Sequence, residues 1–372
     1  MTALSSTDNI ISKASAHTIK KFELIEKYVE EWAQILLNYE KCNQLVFIDC
    51  MSNSGEYYDA DGRTVYGTPV RVSHVLRKAA ESYPHKRIDL YFNDLSQGKI
   101  DHLKSLVDKD SHNFSVHLST MDGNDLLRRV GSLLTPGQET HYLLVYDPYQ
   151  AAIDWVALMP FLNNWGEVII NHMLYDSIRA TKLAKRETTI SKYEQTYLTD
   201  IENLIPYGND KAAYEARIEA IIHALHRGER RYYVAAFPFF NSKNAIVYNL
   251  IHCTGNIAGF KLYKKKAWQV FGGKSSTKNT HGLENQLSFL FDETDSYGTR
   301  TDENCYYVPD IAAYLQSIFR GRRDVPLNEI WSLLESHPVF PSDGFRPEIK
   351  RLLKAEHGAI IGRSSVTFSD RK

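Results

Sequence analysis

Short, unbroken apolar runs alternate along this chain with segments whose apolar residues return every three or four positions. The runs fall at 45–49, 87–93 (RIDLYFN), 113–118 (NFSVHL), 141–146 (HYLLVY) and 167–173 (EVIINHM). Between them, 68–83, 96–108, 123–134 and 151–163 carry the helical period. An unbroken apolar run closed by turn signals suits a strand covered on both faces. The strand–helix alternation therefore predicts an α/β class with a doubly wound, mainly parallel, Rossmann-like sheet.

The flanks have patterns of their own. From Thr18 to Asn43, the positions Phe22, Ile25, Val29, Trp32 and Leu36 mark one face of an amphipathic helix, giving an N-terminal helical segment over 1–44. The Rossmann domain is expected over 45–271, with a charged helical insertion at 175–227. Runs at 231–237 and 245–251 flank PFFNSKN and predict an antiparallel hairpin closing a seven-stranded sheet. Residues 272–303, rich in Gly, Ser, Thr, Asn and Asp, read as a linker. In 304–372, helices at 309–319, 326–336 and 345–356 precede the hairpin candidate AIIGRSSVTF, which predicts a winged helix-turn-helix domain.

Composition narrows the class. The 372 residues are 43% apolar and 24% charged with a net charge of −1, so no global field draws the chain to nucleic acid or membrane. Any such contact needs a local patch. The four cysteines are scattered without a C-x-x-C pair, which argues against a zinc site or disulfide framework and fits a reducing cytosol. The N-terminus lacks a basic region followed by an apolar block, and no apolar stretch approaches the ~20 residues of a membrane span. A cytoplasmic protein with no membrane contact is expected.

The chemistry-bearing positions sit where the strands end. Ligands of doubly wound sheets bind outside the carboxyl ends of the parallel strands. LVFIDCMSNSGEY at 45–57 closes the first strand with Asp49, and Gly55 follows in a small-residue turn. Asp49 is placed to bond a ligand amine, with Asn53 and Gly55 shaping the turn. Asn93-Asp94 end the second strand, where an acid takes ribose hydroxyls, and Met121, Asp122 and Asn124 follow the third, near an adenine. Asp147-Pro148-Tyr149 after the fourth resemble, with one proline missing, the Asp/Asn-Pro-Pro-Tyr/Phe loop by which amino-nitrogen methyltransferases accept an amine's hydrogens. The plainer alternative is that any α/β protein has polar strand ends and that Tyr149 is core. His223 and His226 are three apart but lack an accompanying carboxylate, so they do not make a metal site. Lys261, Lys264, Lys265 and Lys266, interleaved with Tyr263 and Trp268, can hold phosphates and stack bases or form a solvated helix face. Arg320, Arg322, Arg323, Lys350, Arg351, Lys354 and Arg363 bias the tail toward nucleic acid or a protein partner.

In this order the pieces resemble the three-Cys-motif partner protein family, from about Lys20 to Arg363. KYVEEWAQIL (27–36) resembles its opening helix. IDCMSNSGEY with YGTPV (66–70) resembles its I-D-x-F-A-G-P-G-x-Y…G-S-P-L signature, and VYDPYQ (145–150) its F-D-P-F/Y-G element. YNLIHCTGNIAGFKLYKKKAW (248–268) is similar to its late strand and lysine-rich helix. The resemblance implies a class I methyltransferase-like fold with a C-terminal winged-helix domain, S-adenosylmethionine as cofactor, a radical-SAM-like partner protein, and an antiphage or mobile-element setting. Asn53 and Ser54 stand where the family has Gly-Pro. Asn imitates glycine's left-handed backbone best, but its side chain intrudes where the cofactor's carboxylate end lies.

Two functions follow as expectations. One is an S-adenosylmethionine-dependent methyltransferase acting on or with nucleic acid, with Asp49, Asn53, Gly55, Asp94 and Asp122 at the cofactor and Asp147, Pro148 and Tyr149 at the acceptor. The other is a catalytically inactive Rossmann scaffold that binds DNA or a partner through its tail. A NAD-dependent dehydrogenase is disfavoured because no strand is followed by G-x-G-x-x-G. A nuclease is disfavoured because the acids lie at separate strand ends.

Overall fold

The structure, a computed structural model, describes residues 10–134, 137, 139–148, 152–163, 165–174, 177, 186–204, 210–226, 232–278 and 305–370. The fold divides into two compact units: residues 1–171 with 186–196, and residues 172–185 with 197–372. Among the described residues no helix is long and apolar enough to cross a membrane.

The first unit runs β1 (Ser12–Lys13), α1 (Ala16–Leu37), β2 (Gln44–Asp49), β3 (Glu56–Tyr58), β4 (Thr64–Tyr66), α2 (Thr68–Ser82), β5 (Arg87–Asn93), α3 (Gln97–Leu106), β6 (Phe114–Ser119), α4 (Gly123–Leu133), β7 (Thr140–Tyr146), α5 (Trp155–Leu158), β8 (Gly166–His172) and α6 (Glu187–Tyr197). Leu45 to Ile48 are wholly buried, as an unbroken apolar run requires of a central strand. Five strands lie parallel in the order β6-β5-β2-β7-β8. The first core strand, β2, thus has the second on one side and the fourth on the other. Its flanking connections leave in opposite directions, and a crevice opens at that switch point. The register sets Asp49 level with Phe92 and Val145. Asp94 and Asp147 therefore each lie two positions beyond their level partners.

Helix α1 begins where Ser15 accepts from the Thr18 N–H at 3.3 Å, and it buries Phe22, Ile25, Val29 and Trp32, the stripe expected from the pattern. The helix expected over 151–163 is instead the four-residue α5 followed by a 3-10 turn at Met159–Phe161. Pro160 cannot donate a helical hydrogen bond, which breaks the run. The small sheet β1-β3-β4 was not anticipated; its strands are too short for a periodic signal.

The second unit holds α7 (Asp210–Leu225), β9 (Tyr233–Phe240), β10 (Ile246–Thr254), α8 (Ile257–Val270), α9 (Val308–Phe319), β11 (Val325–Pro326), α10 (Leu327–Ser336), α11 (Arg346–Ala355), β12 (Ile360–Ile361) and β13 (Ser365–Thr367). Strands β9 and β10 form the expected antiparallel hairpin, with Phe240 opposite Ile246 and Tyr233 opposite Thr254. With the five parallel strands they make the chain an α/β protein whose strands are mostly parallel. The last elements follow as helix, strand, helix, helix and two strands, with the antiparallel order β11-β13-β12.

The second unit groups the hairpin and α8 with the tail, whereas the sequence suggested a boundary between 271 and 304. The reason is local. Ser275 N–H donates to Tyr306 O at 2.9 Å and Tyr306 N–H returns to Ser275 Oγ at 2.8 Å, so the edges of the expected linker pair with each other. Residues 279–304 lie outside the described residues.

Candidate functional site

The crevice at the switch point is a cavity of about 380 Å³, within the usual size range for small-ligand sites. Its walls come from the ends of β5, β6 and β7 and the starts of α3 and α4, with Cys50 and Met51 from the end of β2. Asp94, Asp122 and Asp147 line it, as do Leu95, Met121 and Pro148.

Its floor is held by Asn93, which is 1% exposed. The amide donates to Cys50 O at 3.1 Å and Met121 O at 2.9 Å, and accepts from Ser119 Oγ at 2.8 Å and Met121 N–H at 3.2 Å. One side chain thus joins the ends of β2, β5 and β6, and every polar atom of its amide is engaged. Beside it, Asp94 is half-buried and accepts from Ser96 N–H at 2.9 Å. Asp122 is exposed and caps α4, accepting from the N–H groups of Asn124 and Asp125 at 2.9 and 3.3 Å. Tyr146 O–H donates to Asn124 Oδ1 at 2.9 Å and accepts from Asp154 N–H at 3.0 Å, which fixes the far wall.

Asp147 receives two partners that the sequence did not reveal. Asn171, at the end of β8, donates to its Oδ2 at 2.7 Å, and the Lys21 ammonium on α1 stands 3.6 Å from the same oxygen. Neither residue belongs to a recognisable motif; only the pairing of β8 with β7 and the docking of α1 bring them there. Pro148 lines the cavity, and Tyr149 lies outside the described residues.

The other end of the crevice is narrower than expected. Asp49 is 4% exposed and accepts from Met51 N–H at 3.1 Å. Burial lifts its carboxyl to about 7; the Met51 bond pulls it down, Asp147 pushes it up, Lys21 opposes, and Asp94 adds a little. Asn53 does take the left-handed conformation, at φ 57°, and its Oδ1 accepts from Ser54 N–H at 2.8 Å. Glycine's backbone role is therefore filled by Asn. The side chain of Tyr57 reaches this turn. Burial raises the pKa of its hydroxyl, the carboxylates of Asp49, Asp147 and Asp94 raise it further, and Asn53 acts on it in the lowering direction. Neither Asp49, Asn53 nor Gly55 lines the cavity.

Gly55 has a different task from close ligand access. Its φ is 76°, and a Cβ there would meet Leu103 Cδ1 at 2.5 Å and Val70 Cγ2 at 2.8 Å. It lets α2 and α3 pack closely against the turn after β2.

The expected basic positions separate sharply. Lys264 is wholly buried, and its ammonium donates to Leu334 O, Glu335 O and His337 O at 2.9, 3.0 and 2.6 Å. These are carbonyls at the end of α10, so Lys264 caps that helix rather than facing a phosphate. Burial lowers its pKa to about 7, with Glu335 opposing. Lys261 pairs with Glu335 at 2.5 Å and Asp343 at 3.7 Å. Lys265 and Lys266 are half-buried on α8. Arg322 pairs with Glu329 at 2.9 Å, and Lys350 lies over Trp331 at 6.0 Å. Arg323, Arg351 and Lys354 are exposed. Among the described residues no group of His, Cys, Asp and Glu has the arrangement of a metal site.

No protein-family model matches the chain, and no curated protein matches it. Among solved structures it is similar to a DUF519 protein from Legionella pneumophila, at 13% identity over 69% of this chain and 94% of that one, with a TM-score of 0.41. It is also similar to an O-methyltransferase from Bacillus cereus in complex with SAH, at 10% identity over 62% and 80%, TM-score 0.34. An SAH-bound methyltransferase from Podospora anserina matches at 10% identity over 60% and 76%, TM-score 0.30. At these scores the likenesses do not bear on residue roles, which rest on strand order and the cavity.

Proposed function

We propose that this chain is a class I methyltransferase-like protein that binds S-adenosylmethionine and acts on an amino group of a nucleic acid. The observation that carries the reading is the cavity at the switch point, walled by Asp94 and Asp147 and floored by Asn93. Asp94 receives the ribose hydroxyls, Leu95 and Met121 flank the adenine, and Asp122 lies at its edge. Asp49, outside the cavity as it stands, meets the methionine ammonium once Tyr57 moves aside, with Asn53 and Gly55 forming the turn behind it. Asp147 accepts hydrogen bonds from the methyl acceptor beside Pro148 and Tyr149, and Asn171 and Lys21 hold its carboxylate in place. Methyl transfer needs in-line placement of acceptor and sulfonium more than a proton relay, so a site of positioned carboxylates suffices. The cofactor supplies the transferable methyl group.

The tail's element order supports a winged-helix domain with α11 as the helix offered to a nucleic acid, since Arg351 and Lys354 are exposed on it. Membership in the three-Cys-motif partner family, and with it a radical-SAM-like partner, rests on the motif resemblance. Calorimetry with S-adenosylhomocysteine tests the cofactor reading: micromolar binding is expected, and none at millimolar ligand overturns it.

One observation favours the scaffold as a second reading. The Tyr57 hydroxyl is buried within reach of both Asn53 and the Asp49 carboxylate, where the methionine end belongs. On that reading Tyr57→Ala leaves the protein still unable to bind the cofactor. On the first reading Tyr57 moves aside and wild type binds. Under either, exchanging Arg351 and Lys354 for Glu abolishes DNA binding; undiminished binding removes the tail's role.

A further inference from the structure

We propose that Lys99 makes the cavity selective for an adenine nucleoside that carries a phosphate on its ribose. The inference rests on the reading that the cavity takes an adenosine moiety, and it names a ligand class beyond S-adenosylmethionine, whose ribose is unmodified. Lys99 lines the cavity together with Asp94 and Ser96. It is half-buried and makes no hydrogen bond or ion pair among the described residues. Its position opposes the fold's own electrostatics. Lys99 is the third residue of α3, where the partial positive charge of the helix start disfavours a cation. No carboxylate among the described residues lies within ion-pair distance to offset this, whereas Lys20 and Lys27 each reach a glutamate.

A ligand anion supplies what the protein does not. Asp94 accepts one backbone N–H from Ser96, and a ribose hydroxyl completes its shell. With an acid and a cation on one ribose-binding wall, the acid takes a free hydroxyl and the cation takes a phosphate ester on the neighbouring one. Dinucleotide-binding folds use these two charges as alternatives at the 2′ position, an acid for the free hydroxyl and a nearby arginine for its phosphate ester. The ligand is then a nucleoside 2′- or 3′-phosphate, either free or at the end of a strand.

Calorimetry on the full chain with adenosine and its 2′-, 3′- and 5′-monophosphates tests the idea. The 2′ or 3′ ester is expected to bind roughly tenfold tighter than adenosine, about 1.4 kcal/mol. Lys99→Gln brings that ester down to adenosine's affinity, and Lys104→Gln, on the exposed side of the same helix, leaves the preference in place. Esters that bind no tighter than adenosine overturn the proposal, as does a preference that survives Lys99→Gln. A preference confined to the 5′ ester overturns it too. Adenosine binding without any phosphate preference sinks this inference alone. No binding by adenosine or S-adenosylhomocysteine sinks the cofactor reading with it.

Discussion

The strand ends of the first unit and the α8–tail region of the second use charge in opposite ways. Around α8, charged groups are consumed by the fold. Lys264 donates to three backbone carbonyls and Lys261 is held by two carboxylates. On α7 of the same unit, buried Arg217 donates to Ser177 Oγ and Leu204 O at 3.0 and 2.7 Å. In contrast, Asp94 at the end of β5 and Lys99 on α3 line a cavity. A charge with all its partners supplied by its own chain is architecture; one facing a cavity without them is available to a ligand. Lys264 and Lys99 are the same residue type with opposite uses.

The sharpest way to break this contrast is Lys264→Met. Removing the ammonium strands three carbonyls in an apolar setting, and a loss of roughly 4 kcal/mol in denaturant unfolding is expected. Lys261→Ala, at a partly exposed pair, costs about 1 kcal/mol or less. If Lys264 served nucleic acid instead, its replacement would leave stability intact and weaken binding only.

Gly55→Ala comes next. A Cβ at φ 76° would collide with Leu103 and Val70, so a loss of about 2 to 3 kcal/mol is expected by thermal unfolding. Full stability in that variant would return Gly55 to a role in ligand access.

The third test is the pH dependence at Asp49, whose carboxyl is raised to about 7 by burial. A ligand ammonium needs the ionised form, so affinity for S-adenosylhomocysteine rises with pH toward 7 and levels off above it. The slope approaches ~tenfold per pH unit on the acid side. Stability runs the other way. The folded pKa exceeds the unfolded value of about 4, so this group's contribution is full below 4 and is lost as pH rises through 7. Asp49→Asn flattens both profiles; a pH-independent affinity in wild type would detach Asp49 from the ligand.

The smallest effect is expected for Asn53→Gly. The backbone is already left-handed there, so stability shifts by no more than ~1 kcal/mol. Ligand affinity holds or improves as the Asn53 side chain is removed from the turn beside Tyr57. Weaker binding would mean that the Asn53 amide itself serves the site.

Much of the sheet was legible because burial leaves a strong signature. Leu45–Ile48 and Tyr142–Val145 are apolar without interruption, since both faces are covered, and Asp49, Asp94 and Asp147 follow such runs at places the parallel register then aligns. Over 151–163 the sequence points to a longer helix than forms, because the apolar period survives Pro160 while helical hydrogen bonding does not.

Local order thus determined by itself which long apolar runs are core strands, which residues end them and that the turn after Asp49 holds residues tolerant of left-handed backbone, because periodicity, propensity and backbone sterics act over a few residues. Tertiary structure alone decided that Asn171 and Lys21 meet Asp147, that Tyr57 reaches Asn53, and that Lys264 is buried while Lys99 faces a cavity. Those outcomes depend on which distant segment packs against each side chain, and a lysine carries no mark in its own neighbourhood of the partner it will meet.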